Sequence, residues 1–407
     1  MSIRKKITFL MFAVTLCFLT ITMSCVTQTR PFTSKKMTFE LLTIHADICP
    51  RIPFDMDKSK IVFFSDLHRG MGTTDVFKKN KIMFEKILNH YFELGYTLVY
   101  NGDIEEGWGY QRSNIPLILD NHKNQIEIEK KFLKENRYYR IYGNHDDFYR
   151  GQNMYLDKTT YTRVYPAVIF EQILENGKKF IIFSTHGCQG HGLHDAGDDV
   201  AAWGVSIKYL WLLQFTEKKF KSDKQAIKKM EKVRAEYDKH EKYMLEWAFG
   251  DSLKKKCDIL IGGHTHRVIF ESAFEPKMIS IMRKDYEEEA KRIERDKDKP
   301  DEMAAESPFK GDEFSQRKTL SSYEQKIIEK LKKMESEPTQ PLRIQDKSKR
   351  NFTFTPVYFN SGCAFFSEIP CIEISEGKIK LTYIRLGASG ELKFDTRKEA
   401  SLKKYIQ

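Results

Sequence analysis

The sequence predicts an α/β fold in which buried strands alternate with helices along the chain. Continuous apolar runs recur, such as Ile61–Phe64 and Thr97–Tyr100, and runs of this kind are typical of strands buried on both faces. Segments with apolar residues at helical spacing separate these runs, over 76–94 and 121–136. Polar residues follow most of the runs, so we expect a site built from loops at the strand ends.

The remaining core elements follow in chain order. A strand is expected at Tyr138–Tyr142, and Asn176-Gly177 predicts a hairpin between strands over 161–170 and 179–184. Residues 26–58 are expected to be a polar approach with strand-like patches. Further strands are expected over 257–261, 353–359, 371–374 and 377–386. We therefore assign residues 59–282 and 351–390 to one domain.

Two insertions interrupt this domain. Residues 200–256 contain an apolar helical stretch over 201–215 and a Lys/Glu-rich one over 222–249. These helices are expected either to cover the site as a cap or to pack on the flank of the sheet. Residues 283–350 are dense in charge and poor in large apolar side chains, which favours a partly disordered surface insertion. That insertion is either a solvated loop or an arm for a partner or a membrane surface.

The N-terminus has the pattern of an export signal, because Arg4-Lys5-Lys6 precedes an apolar run over 7–23. Thr22-Met23-Ser24-Cys25 loosely resembles a bacterial lipoprotein processing site with Cys25 as the lipidated residue. We expect residues 1–25 to be a signal, lipoprotein-type or anchor segment, and the protein to be held at a cell-envelope membrane through its N-terminus. A secreted or periplasmic product is the alternative.

Charge and cysteine content narrow the choice of partners. The formal net charge is +11, which can attract nucleic acid, anionic lipid or phosphorylated substrates. The lysines are interleaved with acidic residues, as on solvated helix faces. The sequence has no basic strand pattern with interleaved aromatic residues, so nucleic-acid binding is not favoured. The seven cysteines show no CxxC spacing, so neither a zinc knuckle nor a redox motif is predicted.

Five short motifs carry carboxylate, amide or imidazole side chains. They are Ser65-Asp66-Leu67-His68, Gly102-Asp103-Ile104-Glu105-Glu106, Gly143-Asn144-His145-Asp146, Thr185-His186-Gly187 and Gly263-His264-Thr265-His266. These ligand types suit manganese, iron or zinc rather than calcium, and the absence of cysteine ligands argues against a structural zinc site. We expect two divalent metal ions, with manganese favoured and Asp103 as the bridging carboxylate.

In this order the motifs resemble those of the calcineurin-like metallophosphoesterase superfamily, from about residue 61 to residue 362. The resemblance implies a four-layer α/β sandwich, with two mixed β-sheets flanked by helices, around a binuclear metal centre. It implies that the first metal is bound by Asp66, His68 and His266, the second by Asn144, His186 and His264, and both by Asp103. His145 stands in the position of the general acid, and Glu106 in that of the carboxylate that orients it. Asn360-Ser361-Gly362 resembles the closing segment of the family.

The predicted reaction is hydrolysis of a phosphoester or pyrophosphate bond by a metal-bound hydroxide, with His145 as general acid. The motifs are nearest in style to the branch of UDP-2,3-diacylglucosamine pyrophosphatases, and an amphiphilic substrate would suit the apolar stretch over 201–215. A catalytically silent scaffold that binds partners through 283–350 remains an alternative. So does a protein Ser/Thr phosphatase, although Gly107-Trp108 stands where such enzymes have an arginine. A nucleic-acid phosphodiesterase is disfavoured by the anchor.

Overall fold

The computed structural model describes residues 33–72, 75–107, 114–191, 237–296, 340–349 and 352–406, and the single residues 329, 332, 335 and 336. The predicted leader over 1–25 lies outside these ranges, as do residues 200–236 of the predicted cap and most of the charged insertion. No helix in the described ranges is long and apolar enough to cross a bilayer.

The described ranges contain seventeen strands, six α-helices and three short 3₁₀ helices, and the four single residues are also helical. The strands are β1 (Arg51–Pro53), β2 (Ile61–Phe64), β3 (Thr97–Asn101), β4 (Tyr138–Ile141), β5 (Asn153–Tyr155), β6 (Tyr161–Tyr165), β7 (Ala167–Ile173), β8 (Lys179–Thr185), β9 (Ile259–Gly262), β10 (Val268–Phe270), β11 (Ala273–Phe274), β12 (Ile344–Gln345), β13 (Thr353–Phe354), β14 (Tyr358–Ser361), β15 (Ile369–Ser375), β16 (Lys378–Leu386) and β17 (Leu392–Ser401). The helices are α1 (Lys35–Ile48), α2 (Lys81–Glu93), α3 (Ile115–Asn121), α4 (Lys123–Lys134), α5 (237–249) and α6 (Lys277–Asp296).

The strands form two large mixed sheets and a short β12–β13 ribbon. The eight-stranded sheet has the order β17-β16-β15-β2-β3-β4-β6-β5, with β2, β3, β4 and β6 parallel and β15 to β17 antiparallel. The seven-stranded sheet has the order β1-β7-β8-β9-β14-β10-β11, with β8, β9 and β14 parallel. The predicted hairpin at Asn176-Gly177 joins β7 and β8 in antiparallel register.

The two sheets face each other across the main hydrophobic core. Strand β2 shows how its continuous apolar run is used, because Ile61 and Phe63 point to the space between the sheets while Val62 and Phe64 point to the helices outside. Phe63 meets Phe170 of the other sheet edge to face, with ring centroids 6.0 Å apart. Burying each such large apolar side chain contributes about 1.5–3 kcal/mol.

Helices cover both outer faces. Helices α2 and α4 pack on the eight-stranded sheet through residues such as Phe84 and Phe132. On the other side, Leu42 of α1 and Leu245 of α5 pack against the seven-stranded sheet. The result is four layers, helix on sheet on sheet on helix, which confirms the predicted sandwich.

The structure differs from the sequence-based expectations in three elements. Residues 35–48 form helix α1 instead of strand-like patches, and the Ser34 hydroxyl caps the helix by accepting a hydrogen bond from the Met37 N–H. The expected strand over 353–359 is split around Pro356, which cannot donate to a ladder. Strand β17 lies beyond residue 390 and pairs along its whole length with β16.

The described end of the predicted cap is helix α5. Its apolar side chains pack on the flank of the seven-stranded sheet, while Tyr237 and His240 at its start lie beside His264, with ring centroids 5.8 and 5.9 Å away. Helix α5 therefore joins the sheet flank to one of the ligand loops.

Candidate metal centre

All five motifs lie directly after strands that end at the same edge of the sandwich. The loops after β2, β3 and β4 carry Asp66, Asp103 and Asn144, and those after β8 and β9 carry His186 and His264. Backbone hydrogen bonds join these loops, from Asp66 N to Gly102 O at 3.0 Å and from Gly263 N to His186 O at 2.8 Å. The carboxyl ends of both sheets thus bring the motifs together, as strand-end sites do.

Left-handed backbone is concentrated at the predicted ligands. Nine non-glycine residues of the described chain have positive φ, and five of them are predicted ligands, namely Asp66, His68, Asp103, His264 and His266. Their φ values lie between 51° and 66°. Conformations of this kind are uncommon outside glycine and cluster at functional sites.

The predicted first-metal ligands lie together. One ligand atom from each of Asp66, His68 and His266 falls within 4.8 Å of the other two. His68 Nε2 is 3.1 Å from His266 Nε2, and His266 Nε2 is 3.3 Å from Asp66 Oδ1. The other carboxylate oxygen of Asp66 accepts hydrogen bonds from the Ser65 hydroxyl and from the His264 N–H, which fixes its orientation.

Asp103 stands between the two halves of the site. It belongs to a group with His186 and His264, and to another with His68 and His145. Its Oδ2 is 3.1 Å from His186 Nε2, while Oδ1 accepts a hydrogen bond from the His145 N–H at 2.8 Å. The predicted bridging residue therefore lies where ligands from both halves can reach it.

Neighbouring residues position His186 and Asn144, two of the predicted second-metal ligands. His186 Nδ1 donates to Asn101 O at 2.8 Å, so its Nε2 is turned towards Asp103. Asn144 is buried in the loop between Gly143 and His145. A Cβ at Gly102 would collide with the His186 ring, and one at Gly143 would collide with Asp103. These collisions explain why a glycine begins each of these two motifs.

The residues present fit a pair of divalent cations. Asp66 Oδ1 and His186 Nε2 are buried and have no well-directed hydrogen bond within the described ranges, although His266 Nε2 and Asp103 Oδ2 lie 3.3 and 3.1 Å from them. Burial lowers the pKa of His186, but the carboxylates of Asp103 and Asp66 outweigh it and raise that pKa to about 9. A site that holds a proton so tightly attracts positive charge, and buried carboxylate and imidazole atoms are the usual ligands of transition metals.

His145 and Glu106 form the predicted pair of acid and orienting carboxylate. His145 Nδ1 lies 2.8 Å from both carboxylate oxygens of Glu106. The same carboxylate is also 3.0 Å from His68 Nδ1, a contact that the sequence did not predict. Burial would raise the pKa of Glu106, but His145 and His68 hold it well below its usual range. One ionised carboxylate therefore contacts both a predicted ligand and the predicted acid.

A buried charge network under the loops was missed by sequence reasoning. Arg69 binds Glu129 at 2.6 Å and Glu105 at 2.5 Å, and Arg140 binds Glu105 and, at 2.7 Å, Asp146. All five side chains are completely buried. An arginine inside the apolar strand β4 and another directly after His68 were the available signals, because a buried arginine requires carboxylate partners.

Asp146 connects this network to the ligand loops. Its Oδ1 accepts from Gly143 N at 2.5 Å and Asp103 N at 3.3 Å, and its Oδ2 accepts from Ile104 N at 2.9 Å. It thereby holds the loop after β3 against the loop after β4. Charged acceptors make roughly twice as strong a hydrogen bond as neutral ones.

Asn360 secures the last motif. Its amide nitrogen donates to Gly263 O at 2.8 Å and to the Thr265 hydroxyl at 3.2 Å. That hydroxyl donates in turn to the buried Glu241 of α5 at 2.7 Å. The predicted closing segment therefore fixes the loop that carries His264 and His266.

His191 is a further imidazole at the site. Its Nδ1 is 2.9 Å from His264 Nε2, and its ring stacks on His240 at 5.0 Å. Burial, with a smaller effect of His240, lowers the pKa of His191 to about 3, so the ring is neutral at pH 7. In the sequence it begins a polar cluster over 191–199 that could either line the site or form a loop that caps the following helix.

Comparison with known proteins identifies the family. Among solved structures, the chain is similar to vacuolar protein sorting 29 from Cryptosporidium parvum (13% identity, 84% of this chain, 98% of that chain, TM-score 0.29) and to a Vps29 single mutant from Entamoeba histolytica (10%, 83%, 99%, TM-score 0.25). Likenesses this weak carry no argument about function. No curated protein matches at a significant level. The family model for calcineurin-like phosphoesterases matches residues 59–268, which is just over half of the 407 residues. On that match the chain belongs to the calcineurin-like phosphoesterase family.

Proposed function

We propose that the protein hydrolyses a phosphoester or pyrophosphate bond with the help of two divalent metal ions, with manganese favoured. The observation that carries the proposal is the contact of Glu106 with His145 at 2.8 Å, beside the ligand cluster. Metal storage alone does not require a histidine that is outside the predicted ligand set, bound to a carboxylate and one-fifth exposed, as His145 is. A general acid needs both contact with solvent or substrate and a fixed orientation.

The residues divide the work among them. Asp66, His68 and His266 would hold one cation, Asn144, His186 and His264 the other, and Asp103 both. When bound, such a pair supplies charge neutralisation on the phosphoryl oxygens and an activated water. With its Nδ1 on Glu106, His145 would have Nε2 as the ring nitrogen that donates a proton to the leaving oxygen. Such a donor contributes about 10²–10⁴-fold in rate.

We further propose that the substrate is amphiphilic, with a phosphate or pyrophosphate group, and that residues 1–25 attach the protein to a cell-envelope membrane. The support is the basic and apolar pattern of the N-terminus and the apolar stretch over 201–215. A pyrophosphate in a lipid precursor is the finer form of this proposal. A protein phosphatase is less well supported, because such enzymes have an arginine directly after the orienting carboxylate. This chain has Gly107 there, and a side chain at that position would collide with His145 O and the Phe148 ring.

A substrate panel with the full chain in detergent tests the proposal. Metal-free protein is reloaded with Mn²⁺ and given p-nitrophenyl phosphate, bis-p-nitrophenyl phosphate, a phosphopeptide and a nucleotide-sugar diphosphate. We expect metal-dependent turnover of at least one ester, with the rate strongly reduced in His145→Ala where the leaving group is poor. Two bound metals per chain with no turnover of any substrate would contradict the proposal and favour a silent scaffold.

A further inference from the structure

An aromatic side chain flanks the most exposed part of the metal centre. Phe365 lies in the loop between β14 and β15, with its ring centroid 5.5 Å from that of His266 and 5.9 Å from that of His68. His266 is 39% exposed, whereas the side chains of Asp66, Asp103 and His186 are at most 2% exposed. A group bound beside His266 would therefore lie close to Phe365.

The backbone on both sides of Phe365 is fixed. The buried Asn80 side chain donates to Ala364 O and to Phe366 O, both at 2.7 Å, and Ala364 N donates to Asp66 O at 3.2 Å. The Phe365 ring is only partly buried and leans on the Phe366 ring at 4.8 Å. It is thus a partly exposed ring beside the predicted first-metal ligands, held from behind by its packing against the two cores on either side of the eight-stranded sheet.

The arginines next to the ligand histidines are paired with carboxylates of the protein. Arg69, directly after His68, is buried against Glu105 and Glu129. Arg267, directly after His266, is paired with Asp238 and Glu241. Neither guanidinium is placed to hold the charge of a second phosphate oxygen, so these two positions do not favour a dianionic monoester.

We infer that Phe365 is a specificity-determining residue and that the substrate carries a flat, unsaturated ring next to the reacting phosphate. The inference rests on the proposed function and adds a substrate class to it, namely phosphodiesters or pyrophosphates whose organic group is an aryl ring or nucleobase. A fixed ring offers a flat partner the area for offset stacking, worth about 0.5–1.5 kcal/mol beyond simple burial. An alkyl chain gains the burial but not the stacking.

Three diesters with one common leaving group test this with the Mn²⁺-loaded full chain. Each carries the same ring-free leaving group, ethanethiolate, whose release is followed with a thiol reagent, and the second group is phenyl, n-hexyl or methyl, so phenyl and hexyl match in carbon number. The variants are Phe365→Leu, which keeps an apolar side chain, and Phe394→Leu as the control. Phe394 also packs its ring on a histidine, His90 at 4.4 Å, but lies on the edge strand β17.

We expect Phe365→Leu to lower kcat/KM for the phenyl ester about 3- to 10-fold and to change the other two esters less than about 2-fold. Mn²⁺ affinity, measured by calorimetry, should be unchanged, and Phe394→Leu should behave as the parent. An equal loss on all three esters, or a parent that turns over the hexyl ester as well as the phenyl ester, would overturn the inference and leave the proposed function intact. Failure to hydrolyse any ester with both metals bound would overturn both.

Discussion

Substituting Glu106 by glutamine should weaken metal binding and acid catalysis at once. The Glu106 carboxylate accepts from His145 Nδ1 at 2.8 Å and from His68 Nδ1 at 3.0 Å. Glutamine has the same shape but is neutral and has only one acceptor oxygen. In either orientation its amide nitrogen would face the His145 N–H, and in either orientation His145 and His68 would lose the negative charge that they share.

The size of the effect follows from the bond that is lost. A hydrogen bond to a charged group contributes about 1.5–3 kcal/mol, which is roughly a 10- to 150-fold change in an equilibrium constant. Partners that orient ligand histidines typically account for about 10–100-fold in metal affinity. We therefore expect Glu106→Gln to bind its first Mn²⁺ about 10–100-fold more weakly, and to lose turnover on esters with poor leaving groups even at saturating metal.

The assay compares three proteins by Mn²⁺ titration against a chelator and by kcat at saturating Mn²⁺. Parent and His145→Ala should bind metal equally, because His145 is not a predicted ligand, and only Glu106→Gln should lose affinity. If Glu106→Gln bound Mn²⁺ as tightly as the parent and matched His145→Ala in rate, the contact with His68 would have no role in metal binding.

Further predictions concern the acid, the bridge and the buried charges. His145→Ala should keep both metals and lose about 10²–10⁴-fold in kcat on an alkyl phosphoester, but much less on p-nitrophenyl esters; equal losses would argue against an acid. Asp103→Asn should lower metal content below one ion per chain by elemental analysis, and two retained ions would refute a bridge. Arg140→Met should destabilise the fold by about 3–5 kcal/mol in urea at pH 7, because it leaves Asp146 buried without its cation and Glu105 with Arg69 alone; an effect under 1 kcal/mol would refute this. Burial would raise the pKa of Glu105, but Arg140 and Arg69 hold it below its ordinary 4.5, so its stabilisation is complete above that pH and is lost as pH falls through the folded-state pKa. The gap in unfolding free energy between parent and Arg140→Met should therefore narrow below pH 4.5, and a constant gap would contradict the assignment.

The sequence predicted best those strands that are buried on both faces. Strand β2 is apolar at every position because both of its faces are covered, and such runs marked β2, β3 and β9 together with the loops that follow them. The order of the motifs then indicated the ligands. Their closeness, including the position of Asp103 between the two halves, required the structure.

Other elements lack a readable pattern for physical reasons. Strand β17 pairs only with β16 and is largely exposed, so its sequence is charged rather than apolar. Helix α1 buries only Thr38, Leu42 and His45, and since only Leu42 of these is strongly apolar, their helical spacing gives no clear hydrophobic pattern. The partners of Arg140 lie 35 positions before and 6 after it, so no local window could pair them.

The left-handed backbone at Asp66, His68, Asp103, His264 and His266 has a consequence for ion choice. At about 1 kcal/mol each, these conformations cost roughly 5 kcal/mol, comparable to the whole stability of a small domain. The chain thus spends conformational energy to hold its ligands in place before any ion arrives. Loops fixed in these conformations can change little in shape, either to contract around a smaller ion or to expand around a larger one. Discrimination between cations would then come from the rigidity of the loops that hold the ligands.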